Sequence, residues 1–350
     1  MSTKKYNLAI VGYGGMGGWH NYLLKERCRE LNVCGAYDIN AARIKEAERN
    51  GLKTYENLDA LLNDNGIDIV LIATPNDSHA EIAIKAMNAK KHVICEKPVA
   101  MNSNELQEIL DAQKKTGMVF SVHQNRRWDP DFNIVEKMYN EKTLGDIFKI
   151  EHCIYGSRGF EGWRQKKAHG GGMLLDWGVH IIDQMLSMIE EKIKYIHCSF
   201  TNILYGEVDD SFSLHLTFES GLTAVLEASA CHFIRKPLWL VAGNNGTAVI
   251  EDWDVSGKII KLESFEDENV KAIEAGAGLT KTMAPRDHTT ITELALPKVK
   301  TDSMDFFRNV IGQIEKTAKP IVKNEEVMRV MKVMEAAFLS AETNTVVNFE

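Results

Sequence analysis

The segment Gly12-Tyr13-Gly14-Gly15-Met16-Gly17 has the residue types and spacing of a phosphate-binding turn. Gly12 permits the tight turn, Gly14 lets a pyrophosphate approach the backbone, and Gly17 lets a following helix pack on the preceding strand. Gly15 and Met16 complete the loop, where free N–H groups of a helix start meet an anion. Asp38 follows 21 residues after Gly17. A carboxylate there accepts from both ribose hydroxyls of an adenosine and repels a 2′-phosphate. The pattern implies a dinucleotide cofactor, NAD in preference to NADP. The alternative reading is a glycine-rich turn with a solvated aspartate.

Two further segments, Ala73-Thr74-Pro75-Asn76 and Cys95-Glu96-Lys97-Pro98, close apolar runs that read as parallel strands. Such sheets bind ligands beyond the carboxyl ends of their strands. Thr74, Pro75, Asn76, Glu96 and Lys97 are therefore expected in the cofactor cleft, and Lys97 is a candidate for polarising a substrate oxygen. Beyond Gly170-Gly171-Gly172, the residues Asp176, His180 and Asp183 stand at i, i+4 and i+7, one face of a helix. Imidazole titrates near neutrality, so His180 suits a general base, and oxidation is expected to rise with pH through its titration. Asp176 can orient substrate or imidazole. Asp183 is either a support for His180 or an exposed helix residue. The same stripe also reads as an N-capping aspartate and a structural histidine. Asp and His both ligate metals, but no third ligand is identifiable, so no metal site is expected.

The elements that must position these groups read clearly in the first third. Strands are expected at 6–11, 31–37, 53–55, 67–73, 92–95 and 118–123, and helices at 16–30, 41–50, 58–62, 78–89 and 102–116, the last ended by Gly117. Continuous apolar strands between amphipathic helices mean a parallel sheet covered on both faces. After residue 123 the pattern changes to successive strands. Phe212, Leu214, Leu216 and Phe218 alternate with Ser211, Ser213, His215 and Thr217, as in a sheet with two unlike faces. Helices are expected at 132–139, 173–189 and 325–339. The stretch 264–300 reads as a long loop with at most a short strand. The expected organisation is a dinucleotide-binding domain over 1–123 and an α+β domain over 124–350 that binds substrate and makes the oligomer contact. Arg126, Arg127 and Trp128 either line the cleft between the two or form a solvated basic turn. Trp163 and Arg164 either meet a sugar or pack in their own loop. Arg286 and His288 fall in the unassigned loop.

The chain has 350 residues and a formal charge of −8, which argues against non-specific binding to nucleic acid or anionic membrane. Six scattered cysteines without CxxC spacing, no signal-peptide pattern and no long apolar run suggest a cytoplasmic protein with reduced thiols.

In their order and spacing, GYGGMG, ATPN, CEKP and GGGMLLDWGVHIID resemble the Gfo/Idh/MocA oxidoreductases over essentially the whole chain. The resemblance implies a Rossmann domain followed by a domain with a large, open, mostly antiparallel sheet. It implies NAD(P)-dependent oxidation or reduction at a carbinol carbon of a sugar, cyclitol or glycoside, as in inositol and glucoside dehydrogenases. It carries Lys97 over as the EKP lysine and Asp176 and His180 as the catalytic pair, and its likeness at QNRRWDPDF supports Arg127 as a cleft residue on the substrate. A redox-assisted glycosidase that recycles NAD, and a non-catalytic sensor of NAD and sugar, are the other readings. Too few helices remain to cover both faces of the second sheet, so a homodimer or homotetramer through that sheet is expected.

Overall fold

The structure, a computed structural model, describes residues 5–266 and 270–350. Strands β1 (Tyr6–Val11), β2 (Leu31–Tyr37), β3 (Lys53–Thr54), β4 (Ile69–Ile72), β5 (His92–Cys95) and β6 (Phe120–Val122) form a parallel sheet in the order β3-β2-β1-β4-β5-β6. β4 is apolar throughout and wholly buried, as a strand covered on both faces must be. The covering helices are α1 (Gly15–Arg27), α2 (Ala41–Arg49), α3 (Leu58–Leu62), α4 (His79–Asn88) and α5 (Ser103–Thr116). Their starts are local chemistry: the side chains of Asn40, Asn57 and Asn102 accept from the first-turn N–H groups of α2, α3 and α5. Gly117 ends α5 in the left-handed conformation expected of it, at φ +71°.

The second domain begins with α6 (Pro130–Asn140). Its sheet contains β7 (Ile147–Tyr155), β8 (Ile193–Thr201), β9 (Ser211–Phe218), β10 (Thr223–Ser229), β11 (Trp239–Gly243), β12 (Gly246–Ile250) and β13 (Gly257–Leu262). The unassigned stretch is more ordered than expected. It holds a separate hairpin of β14 (Ile273–Ala275) and β15 (Gly278–Thr280), then β16 (Ile291–Leu294), which pairs with β13 at the sheet edge; residues 267–269 of that stretch lie outside the described residues. With β17 (Val347–Asn348) the order is β16-β13-β12-β11-β7-β10-β9-β8-β17, antiparallel except for β7 and β10.

Helices α6, α7 (Val179–Met188) and α9 (Asn324–Thr343) pack on one face of this sheet. Phe212, Leu214, Leu216 and Phe218 are buried on that side, while their alternating partners Ser213, His215 and Thr217 are exposed or half-buried on the other. The remaining helix, α8 (Met304–Ile314), escaped the sequence reading and crosses back to the first domain. Its Phe306 and Phe307 pack on the His123 ring, and Arg308 lies near Glu30. Part of the C-terminal stretch thus packs against the first domain, at His123 and Glu30.

Candidate functional site

The phosphate turn folds because its glycines are obligatory. Gly12 sits at φ +90°, and a Cβ there would lie 2.7 Å from the backbone of Ala73 and Thr74. A Cβ on Gly17 would lie 2.1 Å from the Gly12 carbonyl oxygen, so this glycine lets α1 press on β1. At Gly14 and Gly15 a Cβ would meet nothing within 4 Å. The space over these two residues opens into a cleft of ≈ 530 Å³ that Met16, Asp38, Thr74, Pro75, Asn76 and Glu96 also line. No side chain caps the start of α1 and no acid lies in its first turn, which leaves its N–H groups to an anion. Asp38 is held at the end of β2 by the N–H groups of Tyr13 and Asn40, which donate to its two oxygens at 2.7 Å each. A donor-lined cradle ending in a fixed carboxylate fits the pyrophosphate and ribose of a dinucleotide.

Lys97 and Asp176 meet in the same cleft. The Lys97 ammonium donates to the Asp176 carbonyl oxygen at 2.7 Å and to its carboxylate at 3.2 Å. Arg164 approaches the other carboxylate oxygen at 3.2 Å, with its guanidinium 4.6 Å from the Trp163 ring. Burial pushes the Asp176 carboxyl up, but Lys97 and Arg164 outweigh it and hold it below its usual range. Trp163, Arg164 and Asp176 thus join Lys97 along the cleft wall.

Asp176 does not sit on an ordinary α-helical turn. Leu174–Gly178 form one wide π-type turn before α7 begins, where the sequence reading had a continuous helix. Asp209, which that reading missed, anchors the turn: its carboxylate accepts from Leu174 N–H at 2.7 Å and its carbonyl from Met173 N–H. Gly178 lets the turn approach β9, since a Cβ there would crowd Leu174 and the Phe212 ring.

His180 follows one turn on, 6% exposed, with Nδ1 buried and unpartnered. Burial, then the positive charges of Lys97 and Arg126, hold its pKa well below the usual histidine range. It is a neutral imidazole one helical turn beyond Asp176, and it is not among the residues that line the cofactor cleft.

Asp183 and Arg127 go elsewhere. Arg127 makes a two-pronged bond to Asp183 at 2.6 and 2.8 Å and a third contact to Glu326 at 2.6 Å. Asp183 is 2% exposed, so it is neither an exposed helix residue nor a support for His180. Arg127 is spent on this buried cluster and does not line the cleft, contrary to the substrate role the resemblance implied. Its neighbour Arg126 lies instead over the Trp177 ring at 4.3 Å. Arg286 donates to the carbonyls of Ser264 and Phe265, and His288 is exposed, so neither belongs to the cleft.

One buried cluster had no signature in the sequence. His20 Nε2 and His123 Nδ1 both meet Glu96 Oε1, at 2.6 and 2.9 Å. These three residues form the one group with metal-ligand proximity among the described residues. Their separations are those of imidazole N–H groups donating to a carboxylate. Against burial, the two histidines hold the Glu96 carboxyl well below its usual range. The cluster fixes the end of β5 and so the backbone from which Lys97 projects.

A dinucleotide cradle facing a lysine–aspartate pair across two domains defines a nicotinamide-type oxidoreductase architecture. Residues 6–124 match the model of the oxidoreductase family with an NAD-binding Rossmann fold, and residues 132–249 that of the GFO/IDH/MocA C-terminal domain. The chain belongs to the Gfo/Idh/MocA oxidoreductase family. It is similar to the crystal structure of an NAD-binding protein from Listeria innocua, with 46% identity, TM-score 0.95 and 99% of each chain covered. It is 27% identical to the scyllo-inositol 2-dehydrogenase (NADP(+)) IolW of Bacillus subtilis, over 98% of this chain and 96% of that one. A 2,7-anhydro-N-acetylneuraminate hydratase of Escherichia coli is 28% identical over 72% of this chain and 69% of its own length.

Proposed function

We propose that the protein is an NAD-dependent dehydrogenase acting on a CH–OH group of a sugar, cyclitol or glycoside. The observation that carries the reading is the Lys97–Asp176 pair on the wall of the dinucleotide cleft, one turn from a buried neutral histidine. Bound NAD supplies the hydride acceptor. Lys97 donates to the carbinol oxygen and stabilises negative charge that develops there. Asp176 aims the ammonium, and His180 takes the hydroxyl proton. The test is NADH formation from NAD and a panel of polyols and glycosides. Bond cleavage or hydration without net NADH would place the protein with the family's other net reactions, of which the hydratase relative is an example.

The depressed pKa of His180 moves the expected pH dependence. The base is already deprotonated at neutral pH, so the rate of oxidation is expected to be flat above about pH 7 and to fall only in acid, below the usual histidine value of about 6.5. A rate that climbs steadily between about pH 7 and pH 9 would show that a group of higher pKa takes the proton.

Asp38 supports NAD over NADP, although the inositol dehydrogenase relative carries NADP(+) in its name. Ile39 beside it is 93% exposed, so its replacement costs no packing. Asp38→Ser with Ile39→Arg is expected to shift the NADP/NAD ratio of kcat/KM by about 100-fold or more, as repulsion of the 2′-phosphate becomes attraction. Equal use of both cofactors by the unaltered protein would refute the assignment.

Assembly is proposed through the uncovered face of the larger sheet. That face is more polar than expected, because the apolar alternate residues of β9 turn toward the helices. It still carries half-buried aliphatic residues, Leu240, Val249 and Ile260 on the adjoining β11, β12 and β13, and Val225 on β10 beyond the intervening Glu151 of β7. Light scattering is expected to give twice or four times the 39.4 kDa chain mass; a monomer at micromolar concentration would exclude this. Among the described residues no helix is long and apolar enough to cross a membrane. The six cysteines are all unpaired, which supports a reducing compartment, the cytoplasm.

A further inference from the structure

A second recess, ≈ 760 Å³, lies on the other side of the wide turn that carries Asp176. Trp177 and Met173 line it, whereas Asp176 lines the cofactor cleft, so the consecutive residues Asp176 and Trp177 line two different spaces. Arg126, Arg158, Arg235 and His232 also line the recess, and no acidic side chain does among the described residues. In a chain of net charge −8 this is a local inversion of sign.

The cations are arranged, not merely gathered. The Arg126 guanidinium is stacked 4.3 Å from the Trp177 ring and 5.4 Å from the Trp253 ring, which fixes its plane. Its Nε is buried without a partner, and of its other donors one is bound to Asp129 at 2.8 Å. His232 is stacked on Tyr155 at 4.1 Å and meets Ser229 through Nδ1. Arg235 is shared with Asp252 at the outer edge. Arg158 makes no hydrogen bond or ion pair with any described residue. A planar fork held flat beside free guanidinium donors is the chemistry that receives a carboxylate or a phosphate.

We propose that the substrate carries an acidic group, and that the recess binds this carboxylate or phosphate through Arg126 and Arg158 while the carbinol to be oxidised faces Lys97 and Asp176. The second clause rests on the dehydrogenase reading; anion binding in the recess does not. The arrangement also serves the base. His180 lies within the field of Lys97 and Arg126, and accepting a proton beside two cations is unfavourable. An anion on Arg126 offsets that field and makes the imidazole a stronger base when an acidic substrate is present.

The test uses calorimetric titration of the full chain loaded with NAD, with NADH absorbance read on the same samples. D-Glucuronate and D-glucose 6-phosphate are compared with D-glucose and myo-inositol. At least one acidic probe is expected to bind roughly tenfold or more tightly than the neutral ones, the usual worth of a charge-assisted hydrogen bond. The glucuronate and phosphate arms decide which anion is preferred. Arg158→Gln, an exposed change that leaves the fold intact, is expected to remove most of that advantage without altering the affinity for NAD. The proposal is overturned if no acidic probe binds more tightly than its neutral counterpart, or if Arg158→Gln weakens neutral and acidic probes alike. A neutral polyol oxidised without any preference for acids overturns the acidic-substrate proposal and leaves the dehydrogenase standing. Tight binding of an acid that never yields NADH supports the anion site and counts against the dehydrogenase.

Discussion

Replacing Lys97 by alanine is expected to lower kcat by on the order of 10²–10⁴-fold, with NAD affinity nearly unchanged. His180→Ala is expected to fall in the same range. The two losses have different causes. Lys97 supplies the positive charge nearest the reacting oxygen, and its ammonium is already held 3.2 Å from Asp176, so no reorganisation precedes the reaction. His180 supplies a place for the hydroxyl proton. A side chain that stays neutral because burial and two cations oppose its protonation is available as an acceptor at any physiological pH. Neither residue belongs to the phosphate turn or to the Asp38 end of the cleft, so cofactor titration serves as the control for folding. Near-normal turnover of Lys97→Ala would show that Arg164, which shares Asp176 at 3.2 Å, is the true electrophilic group. Near-normal turnover of His180→Ala would move the proton acceptor to another residue. The Asp176→Ala variant is informative in a third way. It frees Lys97 and Arg164 together, so substrate affinity should fall along with the rate.

The cofactor half of this site was legible in the sequence because every part of it is local. Gly12, Gly14, Gly15 and Gly17 specify a turn by backbone geometry alone, and Asp38 stands at the end of the next strand. The runs that became β1, β2 and β5 have the expected bounds because their polar residues, Asn7, Asn32 and His92, stand within the first two positions and the rest of each strand carries no charged or amide side chain. What was not legible depended on distant partners. Arg126 and Arg127 are adjacent and chemically alike, yet one meets Trp177 and Trp253 and the other Asp183 and Glu326. Nothing in a one-dimensional pattern separates them. The wide turn at Leu174–Gly178 depends on Asp209, more than 30 residues downstream, and helical periodicity at 173–189 hides it. His20 and His123 became visible only when folding brought α1 and β6 to Glu96. Helix α8 was missed although its signal is local: Met304, Phe307 and Ile311 recur at i, i+3 and i+7, the spacing of a buried helical face.

Arg127→Met is expected to destabilise the protein by about 3–5 kcal/mol, the usual cost of leaving a buried charge without its partner. Asp183 is the residue that suffers. It is 2% exposed, and both its oxygens depend on the one guanidinium. Glu326 suffers less, because Lys323 still holds it at 2.7 Å. The penalty carries a pH signature. Burial already pushes the Asp183 carboxyl up, and without Arg127 nothing opposes that push. Its folded pKa then lies above the unfolded value of about 3.9, so the folded state binds the extra proton between the two. The variant's deficit is therefore small below the unfolded pKa, grows as pH rises toward the folded pKa, and is complete above it. Denaturant melts of variant and parent at about pH 4 and pH 7 measure this, and an equal deficit at both would show that lost packing, not lost charge pairing, is responsible. Changing both residues, Arg127→Met with Asp183→Leu, should recover most of the stability, because two apolar groups need no partner. Turnover should recover less. The cluster joins the exit of the first sheet to α7 and α9, and α7 follows directly on the turn that presents Asp176 to the cofactor cleft. Apolar packing can fill that junction, but it lacks the directionality with which the two-pronged arginine–carboxylate bond, beside the Gln184 amide that donates to the Arg126 carbonyl, holds the rotation of α7 and so the direction in which Asp176 aims Lys97.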